Sequence, residues 1–584
     1  MHVVATAGHV DHGKSALVTA LTGAQPDRLE EEQRRGLSIE LGYAWTTLPG
    51  AGEVAFVDVP GHERFISTTL AGLGPVPAVL LVVAADDPWM PQAAEHLAAL
   101  DALGVEHGVL AVTRADLADP APARERALAE LAVTSLRGAP AVTVSARTGE
   151  GVAELRAALA AMLTGLPRPP AHEPVRLWVD RSFSMPGAGT VVTGTLPAGR
   201  VRPGDGLASS RGGHRVRAVQ SLGRPVEEAQ GPARVALNVS GRVERGEVLV
   251  GPGAWHHTEV LDVRLGEVRL GSGEPPQRPL LHLGSTVLSV HHRPLAPGLA
   301  RLTTERSLPL RVGDRALLRD PGTRRLWAVT VLDPAPPPLR RRLAARLRGE
   351  ALTTAHGEAD VAAEVARRGV VAVELLARIG VPVAPVPHGV VAAGGWLLSA
   401  DRAAAAAREA VEVVSEHAAS APLEPALTLA ALAERLGLPA PELAAAVVGE
   451  PLRVAAGRVR LAGTDDVPAD VRAAVAALGE RLAGAPFAAP AADELTALGL
   501  TPKVQGAAVR AGLLLCPVPG VVLLAGADEA AAERLAELPQ PFTVSDARRH
   551  LATSRRVVLP LLAHLDRTGR TRRLPDDRRR LTGR

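Results

Sequence analysis

The chain has 584 residues, of which 47% are hydrophobic and 22% charged, with a formal net charge of +3; this excludes a disordered, fibrous or single small module and predicts about three to five packed domains. The longest apolar stretch, Val76 to Ala85, contains Pro77 and falls well short of the roughly 20 residues that a membrane-spanning helix needs. The lone Cys516 cannot make an internal disulfide or a thiolate cage, and the first residues lack a basic head followed by an apolar core, so the cytoplasm is the expected compartment.

Residues His2 to Ala7 read as a short buried strand and Ser15 to Leu21 as a helix. Between them GHVDHGKS, Gly8 to Ser15, matches the phosphate-loop pattern G-x-x-x-x-G-K-S/T in the strand–loop–helix setting that the motif requires. Gly8 and Gly13 let the backbone wrap tightly, so that the N–H groups of His9, Val10, Asp11 and His12 can point at a phosphate beside the positive end of the helix. Lys14 adds a point charge for the β and γ phosphates, and the Ser15 hydroxyl is placed to ligate Mg²⁺. Lysine occurs only at Lys14 and Lys503 in an arginine-dominated chain, which makes Lys14 an informative exception.

Downstream, VAFVDVPGH, Val54 to His62, is an apolar strand ending in D-x-x-G. Asp58 is placed to hold Mg²⁺ through water and the Gly61 amide to sense the γ-phosphate. Further strands follow at Val79 to Asp87 and Gly108 to Asp116, where a terminal carboxylate, Asp116, suits the two N–H donors on the guanine edge. AVTVSARTGEG, Ala141 to Gly151, then supplies Ser145, Ala146 and Arg147 to the same region. Strands alternating with helices, with ligands at strand C-termini, predict a parallel α/β sheet with its site at the carboxyl edge.

GHVDHGKS, DVPGH and SAR together resemble the signatures of translational GTPases of the elongation factor Tu class. The resemblance implies GTP and GDP as ligands and slow GTP hydrolysis in the free protein, with His62 orienting the attacking water beside Lys14 and Gly61. It makes RRGLSIELGYAW, 34–45, the first switch, with Ser38 where the family has a Mg²⁺-binding Thr. The usual N-K-x-D motif is replaced by Thr113, Arg114, Ala115 and Asp116. The change from Asn to Thr removes a side-chain amide that braces the loop, and a Thr here is expected of the selenocysteine-specific elongation factors.

After the proline-rich junction Leu166 to Pro174, short alternating runs with Gly-Pro turns, beginning at Val175 to Asp205, predict strands and hairpins. A second β-rich segment runs from Thr258 to Asp333. These resemble the two β-barrel domains of the same factors. In the selenocysteine-specific branch the aminoacyl group lies against an Asp-Arg pair and a further Arg, which by resemblance are Asp180, Arg181 and Arg234. A selenol is more acidic than a serine hydroxyl and should be ionised at neutral pH, so a guanidinium lining would favour it. Asp180 and Arg181 also read as an ordinary pair on a barrel strand.

About 250 residues follow DPAPPP, Asp333 to Pro338, and they recur as helix, turn, helix and β-rich ending over Leu427 to Gly463, Ala492 to Gly526 and Phe542 to Gly583. This is the outline of a winged helix. From Phe542 to Arg584 there are 12 arginines against 4 aspartates, a net +8, while the rest of the chain is net −5. A polyanion partner follows. Thr553, Ser554, Arg555 and Arg556 open the second helix of the last copy, with Arg572 and Arg573 near its wing. This text resembles the terminal winged helix of bacterial selenocysteine factors, which implies an mRNA stem-loop read through loop bases and phosphates.

The expected fold is an α/β phosphate-loop GTPase domain over 1–170, two β-barrel domains over 171–254 and 255–335, and a mainly α tandem winged-helix region over 340–584 with a terminal RNA-binding module at 540–584. The resemblance implies selenocysteyl-tRNA, an mRNA stem-loop and the ribosome as partners of a monomer with no membrane role, delivering selenocysteine at recoded UGA codons. Two other readings stay open: a general elongation or initiation GTPase with an unrelated tail, and a winged-helix nucleic-acid-binding regulator with a nucleotide switch.

Overall fold

The computed structural model describes residues 1–26, 38, 40–62, 65–74, 76–87, 89–185, 189–268, 273–323, 325–341, 343–463 and 467–582. It divides into two compact units, Met1–Arg367 with Val373–Pro385, and Arg368–Ala372 with Val386–Arg584. Among the described residues no helix is long and apolar enough to cross a membrane.

The first unit opens with β1 (His2–Ala7), α1 (Lys14–Thr22), β2 (Gly42–Leu48), β3 (Gly52–Asp58), α2 (Ile66–Leu73), β4 (Ala78–Ala84), α3 (Pro91–Leu103), β5 (His107–Thr113), α4 (Ala121–Leu131), β6 (Ala141–Thr143) and α5 (Val152–Thr164). Among the described residues these strands form one sheet in the order β2-β3-β1-β4-β5-β6. The apolar runs of β1, β4 and β5 are buried on both faces, as strands covered by helices on each side must be. The expectation of a wholly parallel sheet needs one correction. β3, β1, β4, β5 and β6 are parallel, but β2 runs antiparallel to β3, because the short link 49–51 permits a hairpin and not a crossover. The chain leaves β1 for α1 where the strand order reverses, which opens a crevice at the carboxyl edge.

Strands from Arg176–Trp178 to Val248–Val250 build the second domain, an antiparallel β-barrel domain around Leu177, Val179, Val192, Leu237 and Leu249. The third is a closed barrel from His256–Glu267 to Leu326–Asp333, packed around Leu261, Val263, Leu302, Leu318 and Val329. Trp178 of the second domain is buried in the third domain's core, and Arg176 spans the joint, stacked 4.4 Å from the Trp255 ring and paired with Asp314 at 2.6 and 2.7 Å. Two helices, Ala344–Leu352 and Val361–Arg368, are fastened to this barrel by a buried chain of charges. Arg301 pairs with Asp262 at 2.6 and 3.0 Å, Arg348 with Asp262 at 2.6 Å and with Asp333, and Arg367 with Asp333 at 2.6 Å and with Glu364.

The second unit begins with the three-stranded sheet formed by Val370–Ala372, Trp396–Leu398 and Val391–Ala393. Helix, helix, helix and hairpin then recur three times among the described residues. The leading helices are Ala400–Ser420, Ala469–Leu482 and Ala527–Leu535, and the closing hairpins are Leu452–Ala455 with Arg458–Leu461, Leu514–Val518 with Val521–Leu524, and Thr571–Arg573 with Arg579–Leu581. Each leading helix belongs to its module yet lies outside the copies expected from sequence. Its buried stripe is thin, Ala406, Ala410 and Val414 in the first case, so alanine packing carries it without a strong apolar signal. The last two modules share a core in which Phe487 and Val521 meet Val557, Leu561 and Leu565.

Candidate functional site

Backbone geometry shapes the loop after β1. Gly8 has φ 137°, and a Cβ there would stand 2.2 Å from the Val82 carbonyl oxygen, so only glycine fits. The Gly8 N–H donates to His96 Nδ1 at 3.0 Å from α3. That nitrogen must therefore carry a lone pair, and burial, followed by the nearby Lys14 charge, pushes the His96 pKa down to about 3. The Lys14 ammonium donates to the carbonyls of Gly8 at 3.1 Å and His9 at 2.7 Å. His12 is buried against Asp87 at 3.1 Å and burial lowers its pKa, while the His9 ring lies 5.0 Å from the His12 ring.

Three oxygen groups converge at the start of α1. Ser15 Oγ donates to Asp58 Oδ2 at 2.6 Å and lies 3.1 Å from Ser38 Oγ. Asp58 is wholly buried, and its other oxygen accepts from Thr6 Oγ1 at 2.6 Å. Gly61 closes over the loop: a Cβ there would lie 2.4 Å from Lys14 Nζ and 2.5 Å from the Val10 nitrogen. His62 follows at once, half-buried, with its ring 6.0 Å from that of Phe65. The rest of the first switch, 34–37 and 39, lies outside the described residues.

At the other end of the crevice Thr113 Oγ1 donates to the His12 carbonyl at 2.7 Å. The expected loss of a loop brace at this position is thus met by a hydroxyl. Arg114 donates to both oxygens of Asp86 at 3.1 Å and to the Asp11 carbonyl, so it too ties strand ends to the phosphate loop. Asp116 accepts from Ser145 Oγ at 2.6 Å and from Arg147 Nε at 2.9 Å; first the Ser145 hydroxyl and then Arg147 hold its carboxyl below the usual range. Ala146 lies between these two residues, just past β6.

On the second domain Asp180 does not pair with its chain neighbour. Its carboxylate is gripped by both ends of the Arg234 guanidinium, with Nη2 to Oδ1 at 2.7 Å, and by Thr193 Oγ1 at 2.7 Å. Asp180 and Arg234 are both buried. Arg181 instead reaches the first domain, donating to the Leu41 carbonyl and lying 3.0 Å from Glu40 Oε2. Tyr43 of β2 sits beneath both arginines, its ring centre 3.9 Å from the Arg234 guanidinium carbon and 5.1 Å from that of Arg181. Burial pushes its phenol pKa up, and its hydroxyl is buried without a hydrogen-bond partner among the described residues.

In the terminal module the adjacent arginines Arg555 and Arg556, both expected to meet RNA, take different directions. Arg556 turns onto the module before it, donating to the carbonyls of Gly520 at 2.7 Å, Ala489 and Pro490 at 3.0 Å, and Thr553 Oγ1 donates to the Phe487 carbonyl. Ser554 and Arg555 stay exposed at the N-terminus of helix Arg555–Arg567. On the wing Arg573 pairs with Asp577, while exposed Arg572 stands directly across from exposed Arg580.

His96, Tyr43, Thr6 and Arg580 were not singled out from sequence. A signal existed for one of them: Tyr43 is the only tyrosine of the chain.

Residues 1–165 match the family model described as the elongation factor Tu GTP binding domain, and 533–580 match the model described as elongation factor SelB, winged helix. The chain is 38% identical over 343 residues to the selenocysteine-specific elongation factor of Desulfomicrobium baculatum, covering 54% of this chain and 53% of that protein. It is 38% identical over 345 residues to the Escherichia coli K12 selenocysteine-specific elongation factor, covering 57% and 56%. The match thus spans little more than half the length of these curated relatives. Translation initiation factor 2 subunit gamma of Halobacterium salinarum is 33% identical over 332 residues, which cover 46% of this chain and 80% of that protein. A crystal structure of a bacterial selenocysteine-specific elongation factor aligns over 100% of both chains with a TM-score of 0.77 and 25% identity. The chain belongs to the translational GTPases of the elongation factor Tu class, and within them it is similar to the selenocysteine-specific elongation factors over little more than half of their length and in its terminal winged helix.

Proposed function

We propose that this protein binds and hydrolyses GTP, carries selenocysteyl-tRNA, and delivers it to the ribosome in the cytoplasm at UGA codons followed by an mRNA stem-loop. The observation that carries the reading is the presence, on one chain, of an elongation-factor-type nucleotide crevice and a terminal winged helix of the selenocysteine-factor type.

Ser38 and Asp58 each bring a hard oxygen donor within hydrogen-bond reach of the Ser15 hydroxyl, which suits Mg²⁺, and these three are the residues that would hold it. When bound, the ion would neutralise charge on the β and γ phosphate oxygens. The loop from Gly8 to Ser15 cradles the phosphates, with Lys14 supplying a fixed positive charge. Thr113, Arg114 and Asp116, with Ser145, Ala146 and Arg147, select guanine. Gly61 marks the γ-phosphate and His62 orients water for in-line attack, so catalysis is positioning plus electrostatics.

Asp180, Arg181 and Arg234 line the aminoacyl site. Arg234 is held by Asp180 and so keeps its charge in place, and a selenolate gains from that charge where a neutral serine hydroxyl does not. In the terminal module, Ser554, Arg555, Arg572 and Arg580 face the RNA, with Arg573 beside them; Thr553 and Arg556 set the module's orientation on its neighbour. Like charges directly across a hairpin repel, so Arg572 and Arg580 gain most when a phosphate bridges them.

A filter-binding comparison of selenocysteyl-tRNA, seryl-tRNA and elongator tRNAs in the presence of GTP tests the assignment. Selective retention of selenocysteyl-tRNA is expected. Equal retention of all three would leave a translational GTPase without this cargo.

A further inference from the structure

The three domains of the first unit do not close completely on one another. At one point they meet without slack: a Cβ on Gly74, just past α2, would lie 3.5 Å from Gly284 Cα of the third domain, and a Cβ on Gly284 would lie 2.3 Å from Cγ of Trp178 of the second. Beside that point Arg176 is fixed by its pair with Asp314 and its stacking on Trp255. These contacts brace the joint, and a cavity of about 520 Å³ remains next to it. Sites for small organic ligands span about 300–1,000 Å³.

The lining has two parts. Val76 and Leu103 of the first domain, Leu166 and Pro169 of the proline-rich junction, Pro232 of the second domain and Leu283 of the third give an apolar wall. The fixed charges are Arg168, Arg176 and Arg315 against Asp314 alone, three against one, a net +2. Asp314 is taken up by Arg176. The exposed side chains of Arg168 and Arg315 have no hydrogen-bond or ion-pair partner among the described residues. The Arg168 charge is felt within the lining: after burial and the N-terminal amine, it helps to hold the His2 pKa below its usual value. A cation would find no free carboxylate here, whereas an oxyanion can make charge-assisted pairs with two guanidiniums while an apolar body covers the wall. The cavity also stands apart from the nucleotide crevice. His2, which lines it, opens β1, and the phosphate loop follows the other end of that strand, about 20 Å away along six residues.

We propose that this cavity binds a small anionic amphiphile, with its apolar body against Val76, Leu103, Leu166 and Leu283 and its oxyanion head on Arg168 and Arg315. Because the wall is drawn from three domains and the junction between two of them, the ligand stabilises the assembled first unit. The site is independent of the tRNA and mRNA roles proposed above.

The test titrates the full chain with dodecanoate, dodecyl phosphate and dodecylammonium, each below its micelle-forming concentration, by isothermal calorimetry and by melting temperature. Saturable binding of one anionic probe per chain is expected, with a rise in melting temperature, and dodecylammonium should bind at least about tenfold more weakly. The tighter of the two anions assigns the head as a carboxylate or a phosphate. Arg168→Glu with Arg315→Glu should weaken the anionic probes by about 10- to 100-fold and leave fluorescent-GTP affinity unchanged. Arg168→Gln with Arg315→Gln should give a smaller loss, and it answers the same question if the reversed charges impair folding. Absence of saturable anion binding by the wild-type chain overturns the proposal, as does equal binding of dodecylammonium. Wild-type anion affinity in the glutamine pair also overturns it, by placing the probe elsewhere on the chain.

Discussion

Thr113 is a small residue with a long reach. Its hydroxyl joins the end of β5 to the His12 carbonyl in the phosphate loop, where the usual motif of the class has an asparagine amide. Thr113→Ala removes one hydrogen bond and leaves a carbonyl short of a partner, so GTP affinity should fall by about fivefold, near 1 kcal/mol, in a fluorescent-nucleotide titration. Gly61→Ala should be far more severe, because the new methyl would meet Lys14 Nζ and the Val10 nitrogen; single-turnover GTP hydrolysis should fall to background. His96 gives a pH signature. Its folded pKa, about 3, lies below the ordinary value of 6.5, so the unfolded chain binds the extra proton between those values and stability drops as pH falls from 6.5 toward 3. His96→Gln keeps an acceptor for the Gly8 N–H, and its melting temperature should fall less steeply over that window. Lys14, Ser15 and Asp58 were legible in the sequence because contiguous motifs announce them. His96 was not, since nothing in an alanine-rich helix tells a histidine that supports the loop from one that merely packs.

At the scale of elements, two devices hold pieces in register. The buried chain from Arg301 through Asp262, Arg348, Asp333 and Arg367 to Glu364 fastens helices Ala344–Leu352 and Val361–Arg368 to the third barrel. Asp262→Ala should cost about 3–5 kcal/mol in a denaturant titration, because it leaves Arg301 buried without its carboxylate and Arg348 with Asp333 alone. The terminal module separates docking from binding. Arg555→Ala with Arg572→Ala should weaken RNA hairpin binding and flatten its log-log salt dependence by about 1.4, at roughly 0.7 for each phosphate no longer neutralised. Arg556→Ala should instead lower the module's melting temperature with little change in that slope. The alternating runs of the barrels and the repeated helix–helix–hairpin text were readable as elements. The leading helix of each module was not, because a stripe of alanines gives too little contrast to mark a buried face.

At the scale of the whole molecule, the nucleotide crevice and the basic terminal module share no residue, so the Arg555→Ala, Arg572→Ala double variant should hydrolyse GTP at the wild-type rate, both alone and with ribosomes. Reduced hydrolysis in the free variant would mean that those side chains serve the fold. The sequence alone determined whatever is written in neighbouring residues: the phosphate loop, the D-x-x-G turn, the apolar runs that become buried strands, and the arginine excess after Phe542. Such features are legible because a strand, a tight loop or a charge excess is set by a few adjacent side chains and the backbone angles they allow. Tertiary structure decided which charges meet. Asp180 pairs with Arg234, 54 residues away, and not with adjacent Arg181, because it sits at the bend before strand Arg181–Met185 while Arg181 reaches across to Glu40 and Leu41 of the first domain. The same holds for Arg556, turned onto backbone carbonyls of the preceding module, and for Tyr43 under two guanidiniums. Each depends on which surfaces pack together, and a choice of partner across tens of residues is a property of the packed chain that no local pattern encodes.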